Sequence, residues 1–315
     1  MTKYRLHLPQ LDGGVFLTDG GLETTLIFHQ GIDLPHFAAF DLLRDAAGRK
    51  TLADYYLPYI AAANRDGYGF ILDSATGRAS ADWGAKLGYS SRALAAVNRE
   101  AIEMLVGLRA EHETASMPMV VCGAIGPRGD GYVADSSMSA DEAEDYHSDQ
   151  IRVFAETDAD MATAYTMTNI SEAIGIARAA RAHALPIAIS FTLETDGRLP
   201  SGDSLQEAIE AVDAATSSAP AYYMINCAHP THFDDTLAEG GSWLERLQGI
   251  RANASKRSHA ELNEAPDLDA GDPVELGSQY SALLRRYPQI RVLGGCCGTD
   301  DRHVACIGSA CRPQH

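Results

Sequence analysis

The chain predicts an α/β fold, a single-domain (β/α)8 TIM barrel over residues 1–315, and three observations carry that reading. Short apolar runs of strand length alternate with longer amphipathic segments along the whole sequence. Several of those runs are apolar throughout rather than alternating, as parallel strands covered on both faces are. The rival architecture, an open doubly wound sheet, carries Gly-x-Gly-x-x-Gly after its first strand, and no such motif stands there.

The eight expected strands are residues 15–19, 69–73, 119–123, 160–164, 186–192, 221–227, 249–253 and 291–295. Helical patterns at 52–65, 91–113, 139–157, 171–183 and 204–216 follow the first five strands in turn. A further pattern at 277–287 precedes the last strand, and 300–310 closes the chain. Two helix starts carry a capping-box signature, Ser139 with Glu142 and Ser204 with Glu207.

Composition narrows the function. Of the 315 residues, 45% are hydrophobic, enough for a full core without staples. A net charge of −18 argues against nucleic acid and against an anionic membrane surface. No apolar run approaches the ~18 residues of a membrane span. The start, Met1-Thr2-Lys3-Tyr4-Arg5-Leu6-His7, lacks the apolar stretch of a signal peptide, so a cytoplasmic enzyme is expected. Six cysteines do not form a disulfide framework in such a chain and read as thiols, metal ligands or core residues.

In a barrel of this kind the active site lies at the C-terminal ends of the strands. The sixth strand ends in Tyr222-Tyr223-Met224-Ile225-Asn226-Cys227, and the eighth runs into Val292-Leu293-Gly294-Gly295-Cys296-Cys297-Gly298-Thr299. Cys227, Cys296 and Cys297 therefore share one rim and form a candidate zinc site of three cysteines. Three protein ligands leave the fourth tetrahedral position open, the arrangement of a catalytic site, and soft sulfur suits a thiol substrate there. The competing reading of Cys296–Cys297 is a strained vicinal disulfide. Cys122, Cys306 and Cys311 read as small buried apolar residues.

Other rim residues are candidates as well. In Asp19-Gly20-Gly21-Leu22-Glu23-Thr24 the carboxylate can grip a substrate ammonium while glycine amides meet its carboxylate, or Asp19 can cap the next turn. Asp73, Thr76 and Arg78 follow the second strand and face the same rim. Lys256, Arg257 and His259, after the seventh strand and ahead of the acidic stretch 263–272, form either an anion site or a solvated loop. His229 and His232 follow Cys227 and are minor candidates for completing the metal site.

The Asp19-Gly20-Gly21-x-x-Thr24 motif, Cys227 after an apolar strand, and Gly294-Gly295-Cys296-Cys297-Gly298-Thr299 together resemble the zinc-dependent homocysteine S-methyltransferase family. That family includes betaine-, S-methylmethionine- and cobalamin-linked barrels. Gly123-Ala124-Ile125-Gly126-Pro127 and Gly197-Arg198-Leu199-Pro200-Ser201-Gly202-Asp203-Ser204-Leu205 extend the similarity over nearly the whole chain. The resemblance implies Zn2+ on Cys227, Cys296 and Cys297, with Asp19 and the Gly20–Gly21 backbone holding the amino-acid end of the acceptor. One position departs. Where the family often has a glutamate contacting the substrate amino group, this chain has Tyr165, unless Glu172 or Glu194 serves that role.

The expected chemistry is transfer of a methyl group from a small sulfonium, or a quaternary ammonium, to a thiol acceptor, with homocysteine becoming methionine. The departure at Tyr165 opens a second reading, another thiol or selenol acceptor. A non-catalytic zinc barrel is the third. The expected substrate-binding set is Asp19, Gly20, Gly21, Thr24, Asp73, Thr76, Tyr165, Asn226 and Asn253. Tyr165 and Tyr132 are candidates for stabilising a cationic methyl centre through their rings. No catalytic residue is expected beyond the zinc-activated thiol, and the expected partners are the small-molecule thiol acceptor and methyl donor, with no nucleic acid and no membrane.

Overall fold

Each strand pairs in parallel with the next, and the eighth returns to the first, closing the barrel in chain order. The structure is a computed structural model that describes residues 2–132, 138–264 and 267–312. The strands are β1 (Phe16–Leu17), β2 (Gly69–Asp73), β3 (Met119–Ile125), β4 (Met161–Met167), β5 (Ile187–Phe191), β6 (Tyr222–Asn226), β7 (Leu247–Ala252) and β8 (Val292–Gly295). Between and after them run α1 (Ala46–Asp66), α2 (Ala81–Lys86), α3 (Ser91–His112), α4 (Ala140–Ala155), α5 (Ile170–Ala182), α6 (Leu205–Thr216), α7 (Pro230–Ala238), α8 (His259–Glu264), α9 (Pro273–Arg286) and α10 (Asp301–Ala310). None of the helices among the described residues is long and apolar enough to cross a membrane.

The two-residue period of a strand divides the core into two layers. Phe16, Ile71, Val120, Cys122, Met161, Ala188, Tyr222, Met224 and Val292 pack together inside the barrel. Their alternates, among them Leu17, Phe70, Leu72, Val121, Ala162, Ile189, Tyr223, Ile225 and Leu293, join the helices in the outer core. The strands are apolar throughout because both layers are dry. The N-terminal segment closes the lower end, where the Lys3 and Tyr4 amides donate to Asp160 Oδ1 at 3.0 and 2.8 Å. Arg109 Nη1 donates to the other oxygen of Asp160 at 2.5 Å. A salt bridge in the dry floor is tolerated because Asp160 finds additional hydrogen bonds.

The expected elements are present, with shifted ends. β4 continues three residues past the expected Ala164, to Met167, and its register with β5 shifts between Ala164 and Met167. A bulge there re-aims the side chains that follow. α9 starts four residues earlier than its apolar pattern, at Pro273, because Asp272 Oδ1 accepts from the Val274 and Glu275 amides and proline suits the first turn. α2, α7 and α8 were not expected; they are 6, 9 and 6 residues long, too short for a periodic signal. Cys122 is fully buried as expected, but Cys306 and Cys311 are only partly buried.

Both capping boxes form, at Ser139 for α4 and Ser204 for α6. Ser204→Ala removes the acceptor of the Glu207 amide. It should lower stability by about 1 kcal/mol in urea unfolding, while Ser204→Asp retains most of it.

Candidate active site and metal centre

The upper ends of the strands bring the three predicted thiols together. The sulfurs of Cys227, Cys296 and Cys297 all lie within 4.8 Å of one another, and the first and last are 3.9 Å apart. They form the one cluster of three or more metal-ligating side chains among the described residues. Cys227 directly follows β6 and holds a left-handed φ of 54°, while Thr166, near the end of β4, has φ 60°. A β-branched residue there is strained, and such strain persists where surrounding contacts over-determine it. Those contacts run through Asn226. Its Oδ1 accepts from the Thr166 amide at 2.9 Å and from Ser190 Oγ at 2.6 Å. Its Nδ2 donates to Thr166 Oγ1 at 2.8 Å and points at Cys296 Sγ at 3.8 Å.

The Asp19 motif packs directly against the cysteine loop. The Gly21 amide donates to the Thr299 carbonyl at 3.1 Å, and Thr24 Oγ1 accepts from the Gly298 amide at 3.0 Å. A Cβ on Gly21 would lie 2.7 Å from the Cys296 carbonyl oxygen and 2.7 Å from Thr24 Oγ1. Gly21→Ala should therefore displace the Cys296 loop while leaving the barrel folded. The expected loss is about 10–100-fold in metal affinity, the scale of supporting-shell damage, measured by competition with a chelator and checked by circular dichroism.

The electrostatics centre on Arg251, which sequence reasoning missed. It lies on β7 with its side chain inside the barrel, and all three guanidinium nitrogens are engaged. Nε donates to the Gly295 carbonyl at 3.0 Å. Nη1 donates to Asp73 Oδ2 at 2.6 Å and to the Tyr165 hydroxyl at 3.3 Å. Nη2 donates to the Gly20 carbonyl at 3.1 Å and pairs with Asp19 Oδ1 at 2.7 Å. Tyr165 donates to Asp73 Oδ2 at 2.7 Å, and Tyr55 to Asp19 Oδ2 at 2.8 Å. Burial opposes the charge on Arg251, but Asp19, Tyr165 and Asp73 hold its pKa well above the ordinary value. Burial pushes Asp19 up to about 6 against the pull of Arg251. A lone charge inside an apolar strand, on the inward parity shared with Gly249, was the available signal.

The thiols do not share one proton affinity. Hydrogen bonds from Cys227, then from Cys297, hold the Cys296 thiol well below its ordinary value against burial, with help from Arg251. Hydrogen bonding with Cys296 and Cys297, together with burial, raises Cys227 well above it. Tyr132, from the loop after β3, brings its hydroxyl within 3.1 Å of Cys297 Sγ and 3.9 Å of Cys227 Sγ. Its ring lies 4.1 Å from that of His259, whose Nε2 meets the Cys227 carbonyl at 2.5 Å. Glu23 also borders the cluster; burial, with Cys296 and Asp19 adding, pushes it up to about 7.

This arrangement suits a soft ion. Tetrahedral zinc–sulfur bonds of ~2.3 Å set sulfurs about 3.8 Å apart, and one low-pKa thiol supplies a thiolate readily. The family model for homocysteine S-methyltransferase matches residues 16–311. The chain belongs to the homocysteine S-methyltransferase family. It is accordingly a methyltransferase enzyme acting on sulfur.

The chain is similar to several proteins at low identity. Homocysteine S-methyltransferase 1 of Brassica oleracea var. italica is 24% identical over 94% of this chain and 93% of its own length. Selenocysteine Se-methyltransferase from the same plant is also 24% identical, over 94% of this chain and 88% of its own. The metallated form of the homocysteine methyltransferase MmuM from Escherichia coli shares the fold with a TM-score of 0.72 at 18% identity, over 96% of this chain and 98% of that one. Its oxidized form gives 0.74 at 19%, over 98% and 99%.

Against the family pattern, the predicted residues fall into three groups. Asp19, Asp73, Tyr165 and Asn226 converge beside the thiols. Gly20, Gly21 and Thr24 brace the Cys296–Thr299 turn, and Asn253 Nδ2 fastens the Cys227 carbonyl at 3.0 Å. Thr76 turns away, donating to the Ala124 carbonyl at 2.8 Å. Neither alternative glutamate joins the Asp19 group: Glu172 meets His147 Nε2 at 2.9 Å and the Arg128 amide at 2.7 Å, and Glu194 meets His259 Nδ1 at 3.3 Å. The face of Tyr165 is covered by the Arg251 guanidinium at 4.9 Å. Lys256 pairs with Glu275 at 2.5 Å and Arg257 with Asp269 at 3.5 Å, so that loop offers no free cation pair. The acidic stretch beyond it is described only in part, since residues 265–266 lie outside the described residues. His229 caps α7, and His232 Nε2 meets the Lys256 carbonyl at 2.9 Å, so neither joins the thiols.

Proposed function

We propose that this chain moves a methyl group from a small sulfonium donor to the sulfur of homocysteine, with Cys227, Cys296 and Cys297 holding Zn2+. The single observation carrying the reading is the convergence of three sulfurs within 4.8 Å at the barrel mouth. Zinc bound there would lower the pKa of an acceptor thiol at its open position. The chain's own residues prepare that position. Asn226 orients Cys296, Asn253 anchors the Cys227 carbonyl, and the Asp19–Thr24 loop buttresses the Cys296–Cys297 turn. Arg251 keeps the rim from carrying two uncompensated buried carboxylates. Tyr132 sets its hydroxyl at the thiol cluster and, with His259, covers one side of it.

The acceptor sulfur forms a bond to the methyl carbon as the donor's sulfur–methyl bond breaks. The bond pair stays on the departing sulfur, leaving a neutral thioether, and no base need act on carbon. Positioning and exclusion of water then supply much of the rate.

The occupied carboxylate of Asp19 favours a second reading, a thiol or selenol acceptor other than homocysteine. The test is zinc per chain in reduced protein, followed by a thiol and selenol panel offered with S-methylmethionine. About one zinc and methylation of homocysteine support the first reading. Zinc with methylation of another acceptor alone selects the second. No zinc after reconstitution removes both.

A further inference from the structure

Two arginines at the rim have opposite standing. Arg251 has every nitrogen engaged within the protein. Arg78, in the loop after β2, is only partly exposed and has cation–π contacts but no hydrogen bond or ion pair among the described residues. Its guanidinium lies 4.0 Å over the ring of Trp83 and 6.0 Å from the ring of Phe37. A ring stacked on the face of a guanidinium leaves its in-plane N–H groups free, and those match a carboxylate in geometry and charge. Burial works against the charge on Arg78, and Glu23, Asp130 and Tyr132 are the groups supporting it. Arg78 follows β2 on the rim formed by the C-terminal strand ends, the end of the barrel at which the three thiols meet.

The aromatic mount is held at local cost. His36 and Phe37 are consecutive non-glycine residues with left-handed φ of 56° and 55°. Phe37 remains 57% exposed, so core packing does not explain the strain. Trp83 Nε1 is buried with no hydrogen-bond partner among the described residues. Strain and an unmet donor around an unspent cation are features of a binding site rather than of a core.

We propose that Arg78 is the carboxylate receptor of this active site, binding the α-carboxylate of an amino-acid substrate from its seat beside Trp83 and Phe37. The proposal rests on the methyltransferase reading. In that reading the acceptor homocysteine and an amino-acid sulfonium donor both carry the group.

The test begins without turnover. Zinc-loaded protein is titrated calorimetrically with methionine and with 3-(methylsulfanyl)propan-1-amine, the same molecule without its carboxylate. Wild type should bind methionine about ten- to hundredfold tighter, and Arg78→Gln should lose most of that margin while binding the amine as before. Arg78→Lys should recover part of it.

Kinetics then separate the two sources. If the acceptor supplies the carboxylate, Arg78→Gln raises KM for homocysteine but not for 3-aminopropane-1-thiol. If the donor supplies it, KM rises for S-methylmethionine but not for trimethylsulfonium. Equal binding of the two titrants by wild type, or binding of neither, overturns the proposal, and so does an equal loss of both in a folded Arg78→Gln. The wild-type comparison stands even if the variant does not fold. Arg78-dependent methionine binding with no thiol methylated would instead sink the methyltransferase reading and leave the carboxylate site.

Discussion

Cys297→Ala is expected to lose bound zinc and methyl transfer together. Its sulfur lies 3.9 Å from that of Cys227 and 3.1 Å from the Tyr132 hydroxyl, so it is the thiol that ties the β6 and β8 ends to the loop after β3. Two remaining thiols give a site of lower denticity. The loss in affinity should exceed the ~10–100-fold that follows damage to supporting residues around a metal. The fold should survive, because Cys297 follows β8 and belongs to neither core cluster. Metal analysis of reduced protein, methyl transfer from S-methylmethionine and far-ultraviolet circular dichroism together decide the matter. A folded, metal-free Cys297→Ala with full activity would end the zinc reading.

Arg251→Met is expected to be the most destabilising single change at the rim. It removes the cation between Asp19 and Asp73, both of which are nearly fully buried. Breaking a buried ion pair from one side costs about 3–5 kcal/mol, because the surviving charge is left uncompensated. The pH dependence has a definite sign. Carboxyls whose folded pKa lies above the unfolded value bind protons more tightly when folded, so stability falls as pH rises between the two values. Asp19 stands at about 6 even with Arg251 present, and removing the cation raises it further. The deficit of Arg251→Met relative to wild type should therefore be small at pH ~6 and below and grow as pH rises from there toward the higher pKa of the variant. Urea unfolding at several pH values measures it. Adding Asp19→Asn and Asp73→Asn should restore much of the stability at neutral pH. A pH-independent deficit unmoved by those changes would show that Arg251 acts through packing alone.

The two predictions differ in how far the unfolded sequence could have foretold them. The thiol set was legible because each cysteine sits at the end of an apolar run, and strand ends in such a barrel share one face. Tyr165 was legible as a departure from a family motif, but not as a residue whose face lies under a guanidinium. Arg251 fell inside an expected strand, yet its partners Asp19 and Asp73 lie far away in the chain. Helix α7 escaped because its 9 residues, opening on Pro230, give little more than two turns of pattern.

The sequence by itself determined the eight parallel strands, the capped helices between them and the rim on which Cys227, Cys296 and Cys297 meet. Those features follow from local periodicity, cap chemistry and the direction of each strand. Only the tertiary structure decided that Asp19 is spent on Arg251 and Tyr55, that Lys256 and Arg257 are paired, and that Arg78 has no ion pair among the described residues. Whether a charge is free depends on which partners barrel closure brings within a few ångströms, and that is a property of the closed ring rather than of any segment in it.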